Sequence, residues 1–175
     1  MRRYRIVVLS LLLSVILISC AKPKEPTVKV SDLSGQITEK IAKDNKLSSE
    51  EQLGYKKIDF LDEDSKDIFR SMKLSKDTIE EGVYLSDPSQ KTSHRIMIVK
   101  AKKDTDIKPI VDAFRKMQET QEKEWKKKQK REYQKVKDAL VETKGKYVYY
   151  IVYNDMEGIN KIIVDGIVKS KKGEA

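Results

Sequence analysis

Cysteine and histidine are all but absent: Cys20 and His94 are the only ones among 175 residues. A lone thiol closes no disulfide within the chain, and one thiol with one imidazole falls short of the three or four protein ligands that zinc takes. The seven glycines build neither a phosphate-cradling loop nor a nucleophile elbow. The nucleophile, base and orienting group of a covalent hydrolase therefore have no obvious carriers, and neither enzymatic activity nor a cofactor is expected. A membrane-spanning run is lacking too. The most apolar stretch, residues 6–18, holds 13 residues without a charge. As a helix it rises about 20 Å, against a hydrocarbon core of about 30 Å, so it is too short to span comfortably.

Export is what that stretch fits. Arg2, Arg3 and Arg5 precede it with no acid among them, the order of a basic region before the apolar core of a signal. It ends in Leu17-Ile18-Ser19-Cys20, which resembles the lipobox of bacterial lipoproteins. The resemblance implies a diacylglyceryl group on the Cys20 sulfur, removal of the signal peptide, residues 1–19, and a palmitate-type lipid anchor at the new amino terminus. The alternative is an unmodified apolar cysteine inside the signal. Two acyl chains hold a protein firmly where one is marginal, at about 0.8 kcal/mol per buried CH₂. The expected location is the extracytoplasmic face of the cell membrane. Residues 20–30, with Pro23 and Pro26, read as a flexible tether.

Removing the three signal arginines lowers the formal charge from +9 to +6 over the remaining 156 residues. A basic balance invites a nucleic-acid reading, but an exported domain meets phospholipid headgroups and wall polymers first, so no nucleic acid is expected. An electrostatic partner would be a surface polyanion; the plainer reading is that lysines solubilise a small domain.

Val30, Leu33, Ile37 and Ile41 recur at helical spacing, with Ser31 or Thr27 available as a cap. The stretch through Tyr55, Ile58, Phe60, Phe69 and Met72 reads as short helical pieces among loops. Clusters of β-branched and apolar residues at 82–85 and 94–102 predict two antiparallel strands across a polar loop. From Asp106 a long helix opens, with Ile107, Ile110, Val111, Phe114 and Met117 as its apolar stripe and Pro109 in its first turn. Past Met117 the stripe fails, leaving Trp125 as the one apolar residue of 118–132, with acid-first i, i+4 pairs to sustain a solvated helix. Tyr133, Val136 and Leu140 resume the spacing up to Gly145. The run YVYYIVY at 147–153 carries aromatic and β-branched residues on both faces, as a central strand needs. Asn154 then offers the start of a last helix along Ile159, Ile162, Ile163 and Ile167. The prediction is one α+β domain over 31–169, with about three antiparallel strands, helices packed on one face, and a charged tail at 170–175.

Several of these stretches match a known pattern. The run IVKAKKD at 98–104 leads into a helix rich in Gln and Lys that carries Trp125, and Ala139 through Gly145-Lys146-Tyr147 leads into an apolar strand and a capped helix. Together they resemble an uncharacterised family of bacterial lipoproteins from clostridia and their relatives, domain of unknown function 4358, over roughly residues 30–168. The resemblance implies the anchor and the fold, and it brings no catalytic residues.

Candidate sites are few. Lys126, Lys127, Lys128, Lys130 and Arg131 around Trp125 form the one dense basic patch, suited to an anionic bilayer or polymer, or simply to a solvated helix. His94 reads as a strand-edge histidine without catalytic duty. Asp62, Asp64 and Asp67 lack the Gly and Glu that a calcium loop begun at Asp62 would need, because Asp67 and Lys73 hold those places. The tyrosines of 147–153 read as packed rather than as a stacking platform. The expected role is a membrane-anchored, non-catalytic interaction or accessory module with a membrane protein partner. The alternative is recognition of an anionic wall polymer, lipid headgroup or peptide by the basic helix.

Overall fold

The computed structural model describes residues 28–172, so the signal, Cys20 and most of the tether lie outside the described residues. In chain order its elements are α1 (Val30–Asp44), β1 (Lys56–Asp59), α2 (Lys66–Met72), β2 (Ile79–Ser86), β3 (Arg95–Ala101), α3 (Asp104–Trp125), α4 (Lys130–Lys137), β4 (Leu140–Lys144), β5 (Tyr147–Val152) and α5 (Met156–Lys172). The strands form a single antiparallel sheet of order β1-β2-β3-β5-β4. The class is α+β as expected, but the sheet has five strands rather than three.

β5 explains a second correction. Every one of its side chains is buried, and successive residues point to opposite faces. Val148, Tyr150 and Val152 join one core with Met97, Val99, Phe114 and Met117. Tyr147, Tyr149 and Ile151 join another with Leu33, Ile37, Ile41, Ile159, Ile163 and Ile167. Helices therefore cover both faces rather than one: α2, α3 and α4 lie on the first, α1 and α5 on the second. A strand apolar on both sides requires this, since each large apolar side chain gains about 1.5–3 kcal/mol only when its own face is covered. At Gly166 of α5, an added Cβ would fall 2.5 Å from Leu33 Cδ2, so this glycine lets α1 and α5 approach closely.

Both edge strands stand where helix was expected. β1 occupies part of the 50–78 stretch, and only Ile58 of its four residues is buried, which leaves no alternating signal. β4 replaces the resumed helix. It pairs Lys144 with Tyr147 across Gly145 and Lys146, and Gly145 at φ 57° supplies the left-handed residue of a two-residue hairpin. Gly145 is a hairpin turn, not a helix stop.

The helix starts also shift. α3 begins at Asp104, where the Asp106 carboxylate accepts from the Lys103 amide, so Pro109 falls in the second turn. α1 has no side-chain cap of its own; its Val30 amide donates to Glu81 of β2 at 2.8 Å, and Val30 belongs to the core rather than the tether. α5 is capped by Asp155, which accepts from the Gly158 amide, and its helix runs on to Lys172, into the expected tail. Among the described residues no helix is long and apolar enough to cross a membrane.

Candidate functional site

A connected set of buried and half-buried polar residues gathers at the end of the sheet where β2 stops and β3 begins. His94, 7% exposed, packs against Tyr153 with ring centroids 4.8 Å apart and ring planes inclined by 60°. Lys135, from α4, reaches Glu132 Oε1 at 2.7 Å, Asn154 Oδ1 at 2.8 Å and His94 Nε2 at 3.2 Å. An ammonium has three protons and no lone pair, so these contacts use all three and Nε2 accepts. The imidazole proton then sits on Nδ1 and is donated to the Tyr55 hydroxyl oxygen at 2.6 Å. Burial, and next the Lys135 charge, hold His94 below its ordinary pKa, against the opposing pull of the Asn154 oxygen, Glu132 and Asp87, which favour a protonated ring. The ring is neutral at pH 7, with neither nitrogen left free to take a proton from a substrate.

Glu132 carries the chain of contacts inward. Its Oε2 accepts from the Ser93 amide at 2.7 Å and the Ser93 hydroxyl at 2.8 Å. Burial alone would raise its pKa; the bonds from Lys135 and Ser93 outweigh that and hold the carboxyl below its usual range. Gln121 of α3 donates to the Ser93 carbonyl at 2.6 Å and accepts from the Tyr150 hydroxyl at 2.7 Å. Chemically the cluster is a clamp. It ties the Tyr55 segment, the β2–β3 loop, α3, α4 and the turn after β5 to one another, and Ser93 within it is 1% exposed.

Sequence reasoning had His94 in view and missed its partners. Gln121 was legible in principle: Phe114, Met117, Gln121 and Trp125 continue one helical stripe at steps of three and four, so the stripe does not fail after Met117 but passes through a buried amide to a buried ring. Tyr55, Asn154 and the Glu132–Lys135 pair of α4 carried no such signal, because they lie on three separate parts of the chain.

The basic patch takes a different form from the one expected. α3 ends at Trp125, residues 126–129 turn, and α4 begins at Lys130, so the patch wraps a corner between two helices. Trp125 is 4% exposed and belongs to the core beneath the corner, so it is not part of a surface patch. Lys128 sits 5.2 Å from its ring and pairs with Glu124 at 2.6 Å. Lys126, Lys127, Lys130 and Arg131 are exposed and have no ion-pair partner among the described residues.

The other described candidates have structural roles. Tyr147, Tyr149, Tyr150 and Tyr153 are all buried, as packed residues rather than a platform. The acids at 62–67 open a short helix after a turn, with Asp67 bonded to Arg70. Cys20 lies outside the described residues.

A family model described as a domain of unknown function, DUF4358, matches residues 55–153. The chain belongs to that family. The DUF4358 match opens at Tyr55 and closes at Tyr153, both of which pack or bond against His94, so it takes in the whole sheet and all of the clamp but Asn154. The two helices that cover the second face of the sheet, α1 and α5, fall outside the matched DUF4358 stretch. No curated protein and no solved structure matches the chain significantly.

Proposed function

We propose that this protein is a lipid-anchored module at the extracytoplasmic face of the membrane, acting by interaction with a membrane protein partner rather than by catalysis. The observation that carries the reading is Leu17-Ile18-Ser19-Cys20 at the end of an uncharged stretch behind three arginines. A diacylglyceryl group on Cys20 anchors the chain without a protein span. The non-catalytic part is supported by the use made of the polar residues. His94, Ser93, Glu132 and Lys135 are the groups from which chemistry would be built, and each is engaged by protein partners in the clamp. The decisive test is Cys20→Ser: the variant should leave the membrane fraction or stay unprocessed, and unchanged detergent partitioning with an unmodified mature mass would sink the anchor. Turnover in a broad hydrolase screen that disappears in His94→Ala would sink the non-catalytic part.

One observation favours a second reading, recognition of an anionic wall polymer, lipid headgroup or peptide at the corner between α3 and α4. Lys126, Lys127, Lys130 and Arg131 present cations that no carboxylate of the described residues neutralises. The buried Trp125 removes sugar stacking from this reading and leaves charge alone. Replacing Lys126, Lys127 and Lys130 with Glu should weaken retention on an anionic polymer and flatten its salt dependence.

A further inference from the structure

One half-buried cation in the sheet has no oxygen acceptor among the described residues. Arg95 opens β3 and is half-buried, its guanidinium 5.6 Å over the ring of Tyr84. Among the described residues the guanidinium makes one hydrogen bond, from Nη1 to the Met117 sulfur at 3.1 Å, and a thioether is a weak acceptor. Its Nε has no exposed surface and no partner, and it is the one buried side-chain polar atom in that condition among the described residues. A guanidinium left so short of oxygen is under-satisfied, and a buried polar group without a partner is unfavourable.

The neighbours of Arg95 are donors as well. The register places Lys56, Ser86 and Arg95 in one row across β1, β2 and β3, and the period of two puts them on one face together with Tyr84 in the next row. The hydroxyls of Tyr84 and Ser86 make no hydrogen bond to any described residue, and Lys56 is exposed without an ion pair. Asp87, the nearest acid in sequence, has its carboxylate taken up by Ser89 and Thr92. Two positive charges and two hydroxyls thus share one corner of the sheet, and no carboxylate of the described residues pairs with either charge.

We propose that this corner binds a phosphate oxyanion, with Arg95 as the principal contact and Lys56, Ser86 and Tyr84 around it. Two cations match a phosphate dianion better than a single carboxylate, and charge-assisted bonds to guanidinium are the strong ones. The site is independent of how the chain is held to a membrane. A phosphate of this kind can be free in solution or part of a lipid headgroup, and the test separates the two.

The test is calorimetric titration of the full chain in non-ionic detergent at constant ionic strength, with inorganic phosphate, with glycerophosphoglycerol as the diester of a lipid headgroup, and with acetate. Saturable phosphate binding is expected, with acetate much weaker. Arg95→Met, which keeps the packing against Tyr84 and Met117, should lower phosphate affinity roughly tenfold or more. Arg95→Lys, which keeps the charge and loses the planar fork, should fall between, and serves if the Met variant does not fold. Lys57→Ala removes the same charge from the opposite face of β1 and should change affinity less than about twofold. Tighter binding of the free ion assigns the site to a soluble phosphate, and tighter binding of the diester assigns it to a headgroup. No saturable phosphate binding, equal binding of acetate, or a loss in Lys57→Ala as large as in Arg95→Met overturns the proposal.

Discussion

The two ends of the sheet are closed by different chemistry. At the end where β3 stops, backbone meets backbone: the Ala101 amide donates to the Lys146 carbonyl at 2.9 Å, the Lys102 amide to the Thr78 carbonyl at 3.0 Å, and Gly145 turns the hairpin. At the end where β3 begins, side chains do the joining, through Tyr55, His94, Lys135, Asn154, Glu132, Ser93, Gln121 and Tyr150. Backbone bonds need no titratable group and tolerate most residues. A side-chain clamp depends on the identity and protonation of each member, because a half-satisfied buried network is worse than an apolar one. The second end is therefore where single substitutions and acid should act, and the under-satisfied Arg95 sits at that same end.

The largest expected effect is at Glu132. Glu132→Leu leaves Lys135 without its carboxylate and the Ser93 amide without an acceptor, and should destabilise by about 3 kcal/mol in denaturant unfolding. A loss below about 1 kcal/mol would mean that the two ends are equivalent after all. Gln121→Leu preserves volume while orphaning the Ser93 carbonyl and the Tyr150 hydroxyl, and should cost about 2 kcal/mol by the same measurement.

Acid should sharpen the contrast. The pKa of His94 is lower folded than unfolded, so between the folded value and about 6.5 the unfolded chain binds the extra proton. Stability is then full above that window and is lost as pH falls through it, at a slope of at most about 1.4 kcal/mol per pH unit. Chemical denaturation from pH 7.5 to pH 5.5 should show this slope in the native chain and a flatter one in His94→Gln; equal slopes would remove His94 from the clamp. The smallest effect belongs to the backbone end. Gly145→Ala forces a side chain into the left-handed region and should cost about 1 kcal/mol, with no change in pH dependence.

Legibility followed locality. The central strands β2, β3 and β5 and the helices α1, α3 and α5 were all readable, because their apolar residues repeat within the span of one element. β1 was hidden because Ile58 is its only buried residue, and β4 because Leu140 and Val141 are only half-buried and the rest of it is exposed. Both are edge strands, half of whose pairing groups face solvent, and such strands need little apolar content. The clamp was hidden for another reason. His94, Glu132, Lys135 and Asn154 meet only because a β2–β3 loop, a helix after a corner and a turn after β5 arrive at one place. Trp125 misled in the opposite sense: its lysine neighbours along the chain suggested solvent, while the stripe through Gln121 led it into the core.

By itself the amino-acid sequence determined which residues must be buried and at what period, and it carries the basic, apolar and cysteine-ended address on which the proposed anchor rests. Those properties are local, set by helical and strand periodicity and by the order of charge and apolarity along the chain. The tertiary structure alone decided which helices cover each face of the sheet, and that Lys135 rather than a catalytic partner faces His94. It also decided that Arg95 stands among donors with no oxygen to meet. Those outcomes depend on strand register and on contacts between residues far apart in the chain, which no local pattern encodes.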